Sequence, residues 1–579
     1  MGVRSRRVEG SPAEVRLAVE PAAGLNAEGY RLEVGGRGAS VTAADEAGVL
    51  YGAATLGQWL RLAVEPAGAG GQGLFVPGLR AEDWPDFAHR GVLLDVSRDR
   101  VPTMATLRDL VDRLSSWKVN QLQLYTEHTF AYAGHESVWK GASPLTADEV
   151  RELDAFCREH AVELVPCQQS FGHLHRWLRH EPYRQLAECP EGIEHPWSTG
   201  REPYGLCPTD RKSLALLADL YGQLLPSFSS ARFNVGLDEP IDLGLCRSAR
   251  AAERRGKEHL YLDFLQGVAR QAARHGRTIQ VWGDFLAEHP DLLAELPAGA
   301  TVLEWGYEAD HPFAERCRRL AEAKVDFYVC PGTSSWNSLA GRAANALANL
   351  RAAAQAGHEA GACGYLVCDW GDNGHLQPSP VSELGFLVGA GCGWNVAAAR
   401  EETDAAGLLD AHAFRDEAGA MGGAMLALGN AYETTGGRNR NGSALFFLLL
   451  DAGQPVARSR AAGIFPDGLS EVRQRVRTAM AGLARARMAR PDRRLVADEL
   501  TWVGEAMEVA CRLGLARLGR GAQTELLELP RTARHDLSLR VLRLAVRHRS
   551  LWLRRSRPGG LDDSAARLDR LRAQLAGEQ

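Results

Sequence analysis

Residues 90–126 read RGVLLDVSRDRVPTMATLRDLVDRLSSWKVNQLQLYT: an apolar strand-like run, a polar turn, an amphipathic helical stretch and a second strand-like run. The same unit recurs along the middle of the chain. Strand candidates begin at Gly91 (GVLLDV), Gln121 (QLQLYT), Glu163 (ELVPCQ), Arg232 (RFNVGL), Thr278 (TIQVWG), Thr301 (TVLEWG), Asp326 (DFYVCP) and Gly364 (GYLVCD). Amphipathic stretches such as TADEVRELDAFCREH and KEHLYLDFLQGVARQAARHG lie between most of them, the latter closed by Gly276 where a helix-ending glycine belongs. Eight strand–helix units predict an α/β fold, a closed (β/α)₈ TIM barrel over 88–395. An open doubly wound sheet wants a Gly-rich phosphate loop after its first strand, and DVSRDRV offers none.

Upstream, GYRLEV and ASVTA alternate as short strands, and DEAGVLYGAATLGQWLRL follows as a helix, which predicts a small α+β domain over 1–80. The Gly-rich AGAGGQG at 67–73 reads as a flexible connection. Downstream, 396–579 is rich in Ala, Leu, Arg and Glu with few β-branched runs, and predicts a helical domain. The basic cluster in its tail, RLAVRHRSLWLRRSRPGG, reads as a solvated helix face.

Composition narrows the partners. Across 579 residues, Lys+Arg of 67 against Asp+Glu of 72 gives 67 − 72 = −5, so nucleic acid and anionic membranes are not expected. The basic N-terminus lacks an apolar segment behind it, and no uncharged apolar run is long enough for a membrane span, so the expected location is the cytoplasm. The 11 cysteines form no C-x-x-C pair, and Cys167, Cys330 and Cys368 fall in strand-like runs. Buried thiols are expected, rather than disulfides or zinc ligands.

In such a barrel the chemistry sits at the C-terminal ends of the strands. Those ends carry Asp95 and Arg98; Tyr125, Glu127 and His128; Gln168, Gln169 and His173; Asp238 and Glu239; Trp282 and Asp284; Trp305; Trp336; and Asp369, Trp370 and Asp372. One such tryptophan is usually packing, but four at four strand ends, alternating with acids, describe a pocket for a neutral polyhydroxylated ring. The dipeptide Asp-Glu occurs five times, at Asp45, Asp148, Asp238, Asp416 and Asp498, and only Asp238-Glu239 ends a buried strand, before Pro240. Neighbouring residues of a strand face opposite ways, so both acids reach one pocket only if the chain is already turning. Two acids in one site tend to have their pKa values pushed apart, as glycoside hydrolysis requires. His173 and His175 lack a third ligand at helical spacing, so no metal is expected, and nothing indicates a cofactor.

These residues resemble glycoside hydrolase family 20, the β-N-acetylhexosaminidases. The resemblance rests on RGVLLDVSRDRV at Arg90, SFGHL after the third strand, FNVGLDE in place of that family's His-x-Gly-Gly-Asp-Glu signature, DWGD after the eighth strand, and the upstream helix GVLYGAATLGQWL. It implies an exo-acting enzyme on terminal β-linked GlcNAc or GalNAc that retains configuration, with the substrate's 2-acetamido group as nucleophile through an oxazolinium. It makes Glu239 the acid/base and Asp238 the group orienting that acetamide, with His173 and Glu127 as a relay to Glu239. Arg90 and Asp372 are implied to bind ring hydroxyls, and Trp282, Trp305 and Trp370, with Trp336 beside them, to wall the pocket. Asn234 and Leu237 depart from the signature, and YVCPGTSSWNS holds no counterpart of the family's seventh-strand tyrosine. Two rival readings stay open: a retaining glycosidase with its own nucleophile at Asp95, Glu127 or Asp372, and a non-catalytic sugar-binding barrel. Linkage, aglycone and oligomeric state are not read from the sequence.

Overall fold

A computed structural model of the chain describes residues 14–36, 38–63, 65–66, 74–195, 200–400 and 403–578. The connection expected at 67–73 and the basic N-terminal residues up to 13 lie outside the described residues.

The eight expected strands form one parallel sheet: His89–Asp95, Gln121–Tyr125, Glu163–Val165, Arg232–Asn234, Thr278–Trp282, Thr301–Trp305, Phe327–Cys330 and Gly364–Asp369. The eighth pairs with the first over six residues, and the third and fourth meet through a short bridge. There Asn234 N–H donates to the Pro166 carbonyl and Gln168 N–H to that of Asn234, each at 2.9 Å, which closes the (β/α)₈ barrel. The first helices between strands start where their sequences provide caps. Thr103 accepts from Thr106 N–H at 3.2 Å before Met104–Ser116, and Thr146 with Glu149 makes a capping box for Ala147–Glu159. Leu107, Leu110, Val111 and Leu114 then face the barrel.

The barrel's interior is layered. Low down, inward-facing amides bond one another: Gln123 donates to Gln280 and Asn234 to Gln123, each at 2.9 Å. Toward the C-terminal ends, Tyr125, Trp282, Tyr307, Trp336 and Trp370 form an aromatic layer with Cys167, Cys330 and Cys368 buried among them. Those three thiols are buried as expected. The expectation of no disulfide does not hold: Cys189 and Cys246 are bonded, joining the loops that follow the third and fourth strands.

Four strands, in the order Glu14–Val19, Gly38–Ala43, Tyr30–Gly35 and Leu79–Asp83, pack on the helix Glu46–Ala63 ahead of the barrel. Trp394, ending the last barrel helix Glu383–Trp394, enters this small core and donates to Asp83 at 2.8 Å. Arg90 belongs to the same seam, which corrects its expected place at the substrate. It lies at the start of the first strand, 1% exposed, with Nη2 2.7 Å from Glu28. Nε donates to the Lys118 carbonyl at 2.9 Å, and the guanidinium stands over Tyr51 and Trp394. A strand's start is at the floor of the barrel, so Arg90 faces away from the catalytic end.

Four long helices, Pro466–Arg485, Arg493–Leu518, Arg531–Arg555 and Leu561–Ala576, build a second core after the barrel. The basic tail is not merely a solvated face. Arg555 is buried between Glu499 at 2.7 Å and Asp492 at 3.0 Å, and Arg557 reaches Glu149 on a barrel helix at 2.7 Å. Among the described residues no helix is long and apolar enough to cross a membrane.

Candidate active site

The fourth strand ends at Asn234, and its loop bends at once. Gly236 (φ 73°), Leu237 (φ 69°) and Glu239 (φ 47°) all take left-handed backbone, so Asp238 and Glu239 no longer alternate as strand neighbours do. A side chain at Gly236 would strike Gln169 Oε1, 2.2 Å from where its Cβ would stand. Gln169 Oε1 accepts from Leu237 N–H at 2.9 Å, and its amide donates to Asp238 at 2.5 Å. Asn234, at the signature's histidine position, accepts from Gly236 N–H at 3.0 Å and so helps shape the bend.

The loop after the third strand brings His173, itself left-handed at φ 54°, against both acids. Gly172 makes this approach possible, because a Cβ there would stand 2.9 Å from the Asp238 carbonyl oxygen. His173 Nε2 lies 3.2 Å from Asp238 Oδ2 and 3.2 Å from Glu239 Oε2. Burial disfavours a charged ring, but the Asp238 charge and hydrogen bonds to both acids outweigh it and push the imidazole up to about 10. Burial likewise raises Asp238, and the His173 charge with the His173 and Gln169 hydrogen bonds outweighs it, so this carboxyl stays below its usual range. Tyr204 covers the other edge of the ring at 5.1 Å between centroids.

Arg98, at the catalytic end of the first strand, occupies the place expected of Arg90. Its guanidinium lies 3.2 Å from Asp95 and 3.2 Å from Glu127, and stands over Tyr125 and Trp370 at 4.7 and 5.2 Å. Nη2 is also 3.5 Å from His173 Nδ1, so Arg98 connects the expected pair His173 and Glu127. Asp95 is fully buried and accepts from Ser97, Arg98 and Gly371 N–H groups. Glu127 is buried too and accepts from Tyr125 Oη at 3.1 Å.

Two acids complete the rim. Asp284 accepts from Glu239 N–H at 2.8 Å and from Trp305 Nε1 at 3.3 Å; burial, then the Asp238 charge, pushes it up to about 7. Asp372, in electrostatic reach of Arg98, Glu239 and His173, is pushed up to about 6, chiefly by burial. Trp282 and Trp370 lie 6.0 Å apart, Trp305 stacks on Tyr307 at 5.2 Å, and Trp336 meets Tyr307 edge-on at 5.0 Å. The buried Trp282 Nε1 has no hydrogen-bond partner among the described residues, which leaves a donor in an otherwise apolar wall.

The fold therefore gathers His173, Asp238, Glu239, Glu127, Asp372, Trp282, Trp305, Trp336 and Trp370 at one end, and excludes Arg90. Arg98, Gln169, Asp284 and Tyr307 join them. Among the described residues His173, Asp238 and Glu239 are the cluster close enough for a metal ion, with ligand atoms within 4.8 Å of one another. His173 Nε2 faces both carboxylates at 3.2 Å.

The loops are stitched together behind this site. Besides the Cys189–Cys246 disulfide, Glu188 accepts from Ser248 Oγ at 2.8 Å and Cys246 N–H at 3.0 Å, and Asp242 accepts from Gly205 N–H at 2.8 Å.

Two family models match the chain: "Glycosyl hydrolase family 20, domain 2" over residues 1–84 and "Glycosyl hydrolase family 20, catalytic domain" over 87–336. Curated relatives include a beta-hexosaminidase of Porphyromonas gingivalis, 24% identical over 321 residues, covering 51% of this chain and 40% of that protein. Another is a beta-hexosaminidase of Akkermansia muciniphila, 27% identical over 309 residues, covering 48% and 59%. The chain thus spans 40% and 59% of the lengths of these two. A solved N-acetyl-beta-hexosaminidase of Streptomyces plicatus, in complex with Thio-NAglucal, superposes with a TM-score of 0.53 at 22% identity, over 69% of this chain and 82% of that one. At this identity the likeness is one of fold.

Proposed function

The chain belongs to glycoside hydrolase family 20, and from that premise we propose that it removes terminal β-linked N-acetylhexosamine from glycosides, with the substrate's own 2-acetamido oxygen as nucleophile. The observation that carries this reading is that Asp238 and Glu239 share one nitrogen, His173 Nε2, at 3.2 Å each. A conventional retaining pair stands about 5 Å apart on opposite sides of the scissile bond. Here the two acids converge on one imidazole nitrogen, with ligand atoms within 4.8 Å of one another, which supports reading them as serving one side of the sugar. Of the other rim carboxylates, Asp95 and Glu127 suit a nucleophile no better, since both are buried and bound to Arg98.

In this reading Glu239 protonates the leaving oxygen, and the acetamide oxygen attacks C1 to give a cationic oxazolinium. Asp238, held ionised by His173 and Gln169, orients the acetamide and stabilises the positive charge in a pocket poor in water. Glu239 then takes a proton from the water that opens the ring, and the configuration at C1 is retained. Trp282, Trp305, Trp370 and Tyr307 wall the acetamide, with Trp336 behind Tyr307. Arg98 and Asp372 bind ring hydroxyls.

Arg98→Lys is expected to lower kcat/KM by about 10²-fold, because a lysine keeps the charge but loses the two-pronged donor. Arg90→Lys is expected to lower the melting temperature and leave kcat/KM within about twofold, as a change remote from the site. Steady-state kinetics with thermal melts of both variants decide it; the opposite assignment of effects would restore Arg90 to the substrate.

A thiazoline mimic of the oxazolinium tests the mechanism. It is expected to inhibit at least about 10²-fold better than free N-acetylglucosamine, as a mimic of a high-energy state should. Asp238→Asn is expected to weaken the mimic more than the free sugar. Equal inhibition by both compounds would count against the acetamide as nucleophile.

The division into 1–80, 88–395 and 396–579 is kept as a working description, with the first boundary moved beyond Asp83, because Leu79–Asp83 pairs with Tyr30–Gly35. For location, the Cys189–Cys246 disulfide favours an oxidising compartment over the cytoplasm expected from the sequence.

A further inference from the structure

The last helix, Leu561–Ala576, begins at the catalytic end of the barrel and touches three of its loops. The first is the loop after the first strand. Gly560 (φ 74°) sits so close to Asp99, the residue after Arg98, that a Cβ would collide with the Asp99 carbonyl oxygen. Arg567 reaches the Asp99 carboxylate at 3.3 Å. The second is the loop after the third strand, where Arg176, three residues beyond His173, pairs with both Asp99 and Asp563, the latter at 3.3 Å. The third is the loop after the eighth strand. Ser564 Oγ donates to the carbonyl of Gly374, two residues beyond Asp372, and a Cβ on Gly374 would strike Arg567.

Two cations and two anions thus alternate across the junction, and Asp99 is nearly buried at 2% side-chain exposure. Arg567 Nη1 also donates to the Asp563 carbonyl at 2.6 Å, which ties the arginine to its own helix turn. The neighbouring Trp177 donates from Nε1 to the Glu127 carbonyl at 2.6 Å, carrying the contact on to the loop after the second strand. A network of this kind has geometry to hold because each partner fixes the next.

We propose that the start of the Leu561–Ala576 helix is a positioning device for the active site, in which Asp563 and Arg567, acting through Arg176 and Asp99, set the loops that carry Arg98 and His173, while Ser564 and Arg567 hold Gly374 in the loop that carries Asp372. The inference rests on reading this rim as the glycosidase site. It assigns the helical region after the barrel a task beyond packing, since five of its contacts end within three residues of a site residue. None of these four charged groups is a catalytic residue, and their effect passes through backbone placement.

The test compares Asp563→Asn/Arg567→Gln with Glu149→Gln. The latter weakens another contact between the same regions, Arg557–Glu149, on the barrel helix Ala147–Glu159, and leaves Arg557 bonded to the Val101 and Pro102 carbonyls. Hydrogen exchange over 95–100, 171–178 and 370–376 is expected to speed up by about tenfold in the double variant and not in Glu149→Gln. On an aryl N-acetyl-β-glucosaminide, kcat/KM is expected to fall about ten- to hundredfold in the double variant, with little change in melting temperature. Asp563→Glu and Arg567→Lys, singly, are expected to keep most activity. Unchanged exchange in the three loops, or equal effects from Glu149→Gln, overturns the proposal. If the wild-type chain does not hydrolyse the glycoside, the functional reading fails by itself, and the exchange data still decide the positioning role.

Discussion

Glu239→Gln is expected to lower turnover of an unactivated N-acetylhexosaminide disaccharide by about 10²- to 10⁴-fold, the usual worth of a positioned general acid. The amide has nearly the shape of the acid but carries no transferable proton. The loop should keep its course, because Glu239 is held through its backbone N–H by Asp284 at 2.8 Å and not through its carboxylate alone. An aryl glycoside with a good leaving group needs less protonation, so its first step should suffer less. Steady-state rates on both substrates make the comparison. Near-wild-type turnover of the disaccharide by the variant would remove Glu239 from the mechanism.

Glu239 lies close to three other titrating groups, His173, Asp238 and Asp284, and their protons are shared out by environment. His173 is held charged by the two acids, Asp238 is held ionised by His173 and Gln169, and Asp284 is raised by burial beside Asp238. The divergence expected of two neighbouring acids is therefore clearest between Asp238 and Asp284, which approach from different strands.

The barrel was legible because each strand–helix unit carries its own periodicity, and the eight units from GVLLDV to GYLVCD needed no long-range information. The rim acids were legible for a related reason: the end of a buried strand is marked by where its apolar run stops. The bend that lets Asp238 and Glu239 share a pocket was only half visible. Gly236 and Pro240 announced a turn, but the left-handed backbone at Leu237 and Glu239 depends on Gln169, 68 residues earlier, accepting from Leu237 N–H.

Arg90 shows the opposite failure. It was assigned by its place in a motif, although the rule that chemistry sits at strand ends pointed to Arg98, eight residues along the same segment. Tyr307 lies beyond the sixth strand, whereas the family's tyrosine follows the seventh, so no motif marks it. Asp284 stood among the strand-end acids without a role, because its partners, Glu239 N–H and Trp305, come from other strands. The Cys189–Cys246 pairing spans 57 residues with no spacing motif, and the arginines of the tail gave no sign that Arg555 and Arg567 would turn inward. For Asp284, the disulfide and the arginines the missing information was a tertiary contact rather than a local preference.

The central claim is that the substrate supplies its own nucleophile, and its most direct test is a matched pair of aryl β-glycosides, N-acetylglucosaminide and glucoside, assayed with the purified chain. The two differ only at C2, where an intramolecular nucleophile is replaced by a hydroxyl that cannot do its work. An internal nucleophile already held in place is worth several orders of magnitude. The account predicts that kcat/KM for the glucoside is lower by about 10³-fold or more. Comparable rates on the two substrates, or a fluorosugar ester trapped on Asp372, Glu127 or Asp95, would contradict it.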